Sequence, residues 1–235
     1  MSNTTLSSPD SKTIQGFFDA IPERYDFLNS FLSFSIDSHW RRRLIREALA
    51  SRENISSILD IGAGTGTSLK SFLAAHPFQL SVGCDFSQGM LKVAKEKIKD
   101  ASLLAADLHE LPFADASFDL VTSSFVLRSV KDMERFLNEV KRILKPGGRF
   151  AFLDLTRPTN ILFWNLLYRP YLNIYLPLVG KMVSKHREAY QFLSQSIQIF
   201  IEPTDLKQKM EAAGFRDTAF KPLTLGAATI FMGAK

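Results

Sequence analysis

A single cysteine in 235 residues, Cys84, excludes an internal disulfide and fits a reducing compartment, so the chain is read as cytoplasmic. No zinc-ligand spacing and no RNA-binding aromatic signature occur, and the net charge of +5 is mild, so nucleic acid is not expected as a partner. Met1 to Lys12 is polar and lacks the apolar stretch of a secretory signal. The nearest approach to a membrane span, Ile161 to Val179, is interrupted by Asn165, Arg169, Pro170, Asn173 and Pro177. A lipid-facing helix tolerates these poorly, so a soluble chain is expected. Internal repeats and low-complexity tracts are absent too. What remains is hydrophobic: 46% apolar residues and 20 phenylalanines suffice for the core of one large domain.

Residues 13–50 read as two or three short helices, with Ile14, Phe17 and Phe18 on one face and Phe27, Leu28, Phe31 and Leu32 on another. Trp40 to Leu49 patterns as an amphipathic helix whose arginines, Arg41, Arg42, Arg43 and Arg46, are expected to face solvent. The rhythm then changes to short apolar runs separated by helix candidates. The runs are Ile55 to Ile61, Leu80 to Cys84, Leu103 to Ala106, Phe118 to Ser124 and Arg149 to Leu155. The helices between them are Thr67 to Ala75, Ser87 to Lys99 with Ser87 as N-cap, and Lys131 to Leu144 ahead of Pro146-Gly147-Gly148. This interleaving predicts an α/β fold with a doubly wound, Rossmann-like parallel sheet. A last helix, Thr204 to Ala213, and two close strand runs, Phe215 to Phe220 and Ala227 to Phe231, predict an antiparallel hairpin at its edge, seven strands in all. Residues 156–203 are too long for a plain loop and hold four of the five tyrosines, so a helical cap is expected there.

The strongest local signal is Leu59-Asp60-Ile61-Gly62-Ala63-Gly64-Thr65-Gly66, after a strand and before a helix. Its glycines allow a tight turn and close approach of backbone to a ligand. The spacing is neither the Gly-x-Gly-x-x-Gly pyrophosphate fingerprint nor a Walker A loop, which ends in Gly-Lys-Ser/Thr. Asp85 ends the second strand 19 residues beyond Gly66, where a carboxylate can accept from both ribose hydroxyls; a helix N-cap is its plainer reading. Asp107 ends the third strand, where it or a neighbouring backbone N–H can meet an adenine edge. His109 stands next to it as a candidate base, though an exposed turn histidine is the simpler assignment.

On these and further motifs the chain resembles the UbiE/MenG/Coq5 quinone C-methyltransferase family, of the demethylmenaquinone methyltransferase type. The further motifs run from Phe18-Asp19-Ala20-Ile21-Pro22-Glu23-Arg24-Tyr25-Asp26-Phe27-Leu28-Asn29 through Trp40-Arg41, Leu111-Pro112-Phe113 and Phe125-Val126-Leu127-Arg128-Ser129-Val130. They continue with Leu144-Lys145-Pro146-Gly147-Gly148-Arg149 and Ala189-Tyr190-x-Phe192-Leu193-x-x-Ser196-Ile197.

The resemblance implies a class I S-adenosyl-L-methionine-dependent methyltransferase that methylates a ring carbon of a polyprenyl quinol, with demethylmenaquinol ahead of a ubiquinone precursor as acceptor. It implies an N-terminal helical lid over 13–50, a cofactor-binding core over 55–155, a cap over 156–203 and a C-terminal helix and hairpin over 204–235. Gly62, Gly64, Thr65 and Gly66 are expected around the methionine part of the cofactor, Asp85 at the ribose, Asp107 and Leu108 at the adenine, and Ser124 near the amino-acid end. Arg128, Ser129 and Tyr25 are expected at the acceptor. Peripheral contact with the inner face of a membrane, through the aromatic cap, and a homodimer are the further partner expectations. Val126 and Ser129 depart from the family's Phe-Gly-Leu-Arg-Asn-Val, and Asp154, Leu155, Thr156 and Arg157 from its Leu-Glu-Phe-Ser-Lys-Pro. These departures bear on the acceptor, and leave open a methyltransferase for an unrelated small molecule. A non-catalytic nucleotide-binding domain is the other alternative.

Overall fold

The computed structural model describes residues 30, 33–50, 55–175 and 187–235, with the backbone alone for 187–192. Tyr25 and the earlier part of the expected N-terminal lid lie outside the described residues.

The first described helix, α1 (Ile36–Leu49), buries Asp37, Trp40, Arg41, Leu44, Ile45 and Ala48. That is the 3-4 spacing of a single helical stripe, and Arg41 falls on it. The sequence reading is therefore corrected at this residue: Arg42 and Arg46 face solvent, but Arg41 is buried.

The strands follow as β1 (Ser57–Ile61), β2 (Leu80–Asp85), β3 (Ser102–Ala105), β4 (Phe118–Ser124), β5 (Leu144–Leu155), β6 (Arg216–Leu223) and β7 (Ala228–Ala234). Helix α2 (Thr67–Ala75) joins β1 to β2, α3 (Gln88–Lys97) joins β2 to β3, and α4 (Met133–Ile143) joins β4 to β5. The seven strands lie in the order β3-β2-β1-β4-β5-β7-β6. β1 to β5 pair in parallel, and β7 is antiparallel to both of its neighbours, β5 and the edge strand β6.

Side chains alternate across the sheet, and each face gathers its own core. Leu59, Ile61, Val121, Phe150 and Phe152 pack on one side with Phe136, Leu137 and Val140 of α4 and with Leu206 and Met210 of α6 (Pro203–Ala212). Ile58, Leu120, Ala151 and Leu153 pack on the other with Trp40, Leu44 and Ile45 of α1 and Leu69 and Phe72 of α2.

Local capping explains two helix starts. The Ser87 hydroxyl accepts from the N–H of Met90, and the Asp132 carboxylate accepts from that of Arg135 at 3.0 Å. The end of α4 differs from expectation: Leu144, fully buried, already pairs with Phe118, so β5 begins before Pro146-Gly147-Gly148. The ladder shifts register there and resumes with Leu120 opposite Arg149.

Beyond β5 the chain is helical from Ile161, passes through two wide π-turns at Trp164–Tyr168 and Tyr171–Tyr175, and resumes as α5 (Arg187–Ile199). Trp164, Tyr168 and Leu172 pack with Ile197 of α5 and with Ala227 before β7, over the carboxyl end of β5.

Candidate functional site

Strand order reverses on either side of β1, whose neighbours are β2 and β4. In open α/β sheets that reversal opens a crevice at the carboxyl ends of the strands, and here a pocket forms there. The glycine loop makes its floor. Gly62 and Ala63 donate to the carbonyl of Cys84, at 2.8 and 2.9 Å, which folds the loop over the end of β2. Gly62 has φ of +68°, and a Cβ there would stand 2.3 Å from Cγ2 of Val126, so only glycine fits.

Asp85 lines the pocket and is tied at both oxygens. One accepts from Gly64 N at 2.8 Å and the other from Ser87 N at 2.9 Å. The N-cap role falls to Ser87.

Gly62, Gly64, Thr65, Asp85, Leu108, Ser124 and Ser129 all line this pocket, so most of the residues singled out in the sequence are brought together. Gly66 opens α2 in a left-handed conformation behind the loop and is not part of the wall. Asp107 is not part of it either. Its exposed carboxylate accepts from the backbone N–H of His109 at 2.8 Å and lies 3.0 Å from His109 Nδ1. The backbone N–H of His109, above all, holds this carboxyl below the ordinary range. His109 thus faces Asp107, and its backbone carbonyl accepts from Arg135 Nε at 3.0 Å.

Arg128 stands just behind the wall, with only 7% of its side chain exposed. Its Nε donates to Asp154 Oδ1, Nη1 donates to Ser196 Oγ at 3.0 Å, and Nη2 reaches the Phe125 carbonyl at 3.4 Å. Its backbone N–H donates to the other Asp154 oxygen at 3.1 Å. The guanidinium therefore joins the turn after β4 to the end of β5 and to α5. Asp132, the partner that sequence proximity suggests, caps α4 instead.

Two features, one in the pocket wall and one behind it, were missed from the sequence. Arg41 reaches in from α1, donates to Ser68 Oγ, and lies 4.9 Å over the ring of Phe125. Ser68 in turn donates to Ser124 Oγ at 2.9 Å, so Arg41, Ser68 and Ser124 form one chain. Asp60, next to the glycine loop on β1, is 1% exposed, and neither of its oxygens has a hydrogen-bond partner among the described residues. Burial pushes its carboxyl up to about 7, against the pull of Arg41 and with the help of Asp85. An acid in the middle of a buried strand was the available signal for Asp60; for Arg41 it was its place beside Trp40 on the apolar stripe.

The outer face of the cap is aliphatic. Ile161, Leu162, Leu166, Leu167 and Ile174 are each more than 60% exposed, whereas Trp164 and Tyr168 turn inward. Phe163, Tyr168, Tyr171 and Tyr175 stack in series at centroid spacings of 6.0, 6.1 and 5.4 Å, and Phe34 stacks on Tyr175 at 5.7 Å.

Comparison with known proteins agrees with this arrangement. Among solved structures, a Thermotoga maritima "SAM-dependent methyltransferase, possible histamine N-methyltransferase" superposes with a TM-score of 0.64 at 20% identity, covering 94% of this chain and 99% of the other. The [4+2]-cyclase SpnF superposes at 0.67 with 15% identity and 97% of both chains covered, so the shared fold does not by itself fix the reaction. Sequence relatives are nearer. A demethylmenaquinone methyltransferase of Thermotoga maritima is 37% identical over 97% of this chain and 98% of its own length. The ubiquinone/menaquinone biosynthesis C-methyltransferase UbiE of Geotalea daltonii is 38% identical over 94% and 96%. A model of the ubiE/COQ5 methyltransferase family matches residues 6–235. With its crevice, glycine loop and seven-stranded sheet in place, the chain belongs to the ubiE/COQ5 methyltransferase family.

Proposed function

We propose that this chain methylates a ring carbon of a demethylated polyprenyl quinol, demethylmenaquinol first among them, with S-adenosylmethionine as donor. The observation that carries the reading is similarity over nearly the whole length, cap included, to relatives named for that activity. A likeness limited to the cofactor half would support methyl transfer but no particular acceptor.

The pocket suits such a donor. Asp85, fixed from both sides by Gly64 and Ser87, is placed to accept from ribose hydroxyls. Leu108 offers an apolar wall for the adenine, with Asp107 at its outer rim, and Thr65 and Ser124 face the amino-acid end. Bound S-adenosylmethionine supplies a methyl group on a sulfonium, a leaving group that needs no acid from the protein. What the protein must add is alignment of the acceptor carbon, exclusion of water and support for the phenolate that makes that carbon nucleophilic.

Ser129 and Val126 form the part of the wall nearest the turn after β4, and they take the acceptor's side in this reading. Arg128 acts mainly through that turn: its guanidinium, committed to Asp154, Ser196 and the Phe125 carbonyl, fixes where Val126 and Ser129 stand. It is a positioning residue. Tyr25 remains assigned to a lid on the resemblance alone.

No helix among the described residues is long and apolar enough to cross a membrane. The exposed aliphatic outer face of the cap supports the reading that the chain rests on a bilayer surface, where a polyprenyl acceptor would be met. A second reading, a different small aromatic acceptor, is favoured by one observation only: Val126 and Ser129, the two departures from the family motif, both line the pocket. Transfer of labelled methyl to a panel of quinols decides between them.

A further inference from the structure

We infer that Arg41 is the receptor for the α-carboxylate of the methyl donor, so that α1 reads the amino-acid end of the cofactor. The inference rests on the cofactor assignment above and goes beyond it: Asp85 and Leu108 concern the nucleoside, and neither the glycine loop nor Ser124 supplies a positive charge for the carboxylate.

Arg41 is the only cation in the wall of the pocket among the described residues. It is buried, 9% exposed, and it stands at the amino-acid end, joined through Ser68 to Ser124. A buried guanidinium normally spends its donors on acceptors, since leaving them bare costs free energy. Here the Nε hydrogen bonds to nothing among the described residues. The nearest acid, Asp37, is 3.7 Å away, near enough for an ion pair but too far for a hydrogen bond, and one of its oxygens already accepts from Ser33 Oγ. Phe125 covers one face of the guanidinium and holds its plane in place.

Charge complementarity points the same way. Among the described residues the pocket wall holds one acid, Asp85, at the ribose position, and one cation, Arg41. A ligand whose nucleoside carries hydroxyls and whose far end carries a carboxylate matches that pair. A planar guanidinium suits a carboxylate, since its parallel N–H groups match the two oxygens.

The test uses calorimetric titration with S-adenosylmethionine and with decarboxylated S-adenosylmethionine, which lacks only the α-carboxylate. The wild-type chain should bind the complete donor roughly ten- to a hundredfold more tightly, the range for a hydrogen bond to a charged group. Arg41→Gln should bind both ligands alike, with affinity for the decarboxylated form close to that of wild type. Circular dichroism establishes that the variant is folded; if it is not, Arg41→Lys takes its place and should show a reduced preference. Equal binding of the two ligands by the wild-type chain, or a preference that survives intact in the folded variant, overturns the role of Arg41. Failure of the wild-type chain to bind either ligand overturns the cofactor assignment itself.

Discussion

Arg128 and Asp154, 26 residues apart in sequence, are joined twice: the guanidinium meets one carboxylate oxygen and the backbone N–H of Arg128 meets the other. Asp154 is fully buried, and its first oxygen also accepts from the N–H of Leu155 at 2.7 Å. Removing the guanidinium leaves the buried Asp154 charge with backbone N–H donors but no counter-charge. Arg128→Ala should therefore cost about 3–5 kcal/mol of stability, whereas Arg128→Met combined with Asp154→Leu should recover most of that loss. Urea unfolding of the three proteins checks this, and a single variant within about 1 kcal/mol of wild type would show that the pair is not worth what its burial implies.

Asp60 gives the apoprotein an unusual pH dependence. Its carboxyl is pushed up to about 7 from an ordinary 3.8, so folding favours the protonated form. The sign follows: stability from this residue is complete below about pH 4 and is lost as pH rises toward 7, at about 1.4 kcal/mol per pH unit as an upper limit. Asp119 works in the opposite sense. Hydrogen bonds from Ser57, Ser56 and Lys145 outweigh its burial and hold its carboxyl near 2, so its contribution is lost only as pH falls below about 4. Asp60→Asn should flatten the decline between pH 4 and 7 and leave the acid limb unchanged. Thermal melts across that range, showing the same slope in both proteins, would contradict the assignment.

Asp85→Ala should weaken S-adenosylmethionine binding by about 1.5–3 kcal/mol, the scale for a hydrogen bond to a charged group. The loss includes the support that Asp85 gives to Gly64 and to the start of α3. NAD should not bind measurably, because the glycine spacing is not that of the pyrophosphate fingerprint. Calorimetry on both proteins tests the pair of statements; tight NAD binding or an unchanged variant goes against them.

The cap face predicts lipid contact. Leu162 and Leu166 are 68% and 65% exposed and belong to no core cluster among the described residues, so Leu162→Glu with Leu166→Glu should leave the melting temperature nearly unchanged. Flotation with anionic liposomes should fall several-fold in the double variant, because two charges would enter the lipid boundary. Equal flotation of variant and wild type would remove this face from the membrane account.

Much of the framework was legible because its signals are local. Ser87 as N-cap, the glycine loop and the short apolar runs that stop at it depend on neighbours within a few residues. Other features depend on which strands meet. Ser124 pairs with Leu153, and that register alone brings the turn after β4 against Asp154. No spacing along the chain announces it. Arg41 was hidden for a related reason: an arginine next to two others reads as a solvated run, and only the 37, 40, 41, 44 stripe shows that it turns inward. Asp107, legible as a strand-end acid, lies at the rim with His109 and outside the pocket wall, a distinction that comes from how the turn folds back on itself.

Methyl transfer to a quinol ring carbon is read out by incubation with methyl-labelled S-adenosylmethionine and a panel of quinols, followed by mass spectrometry. Label should appear on the ring carbon of demethylmenaquinol, with S-adenosylhomocysteine formed in equal amount. Label on an oxygen or nitrogen, or transfer to a non-quinol acceptor with none to any quinol, would contradict it.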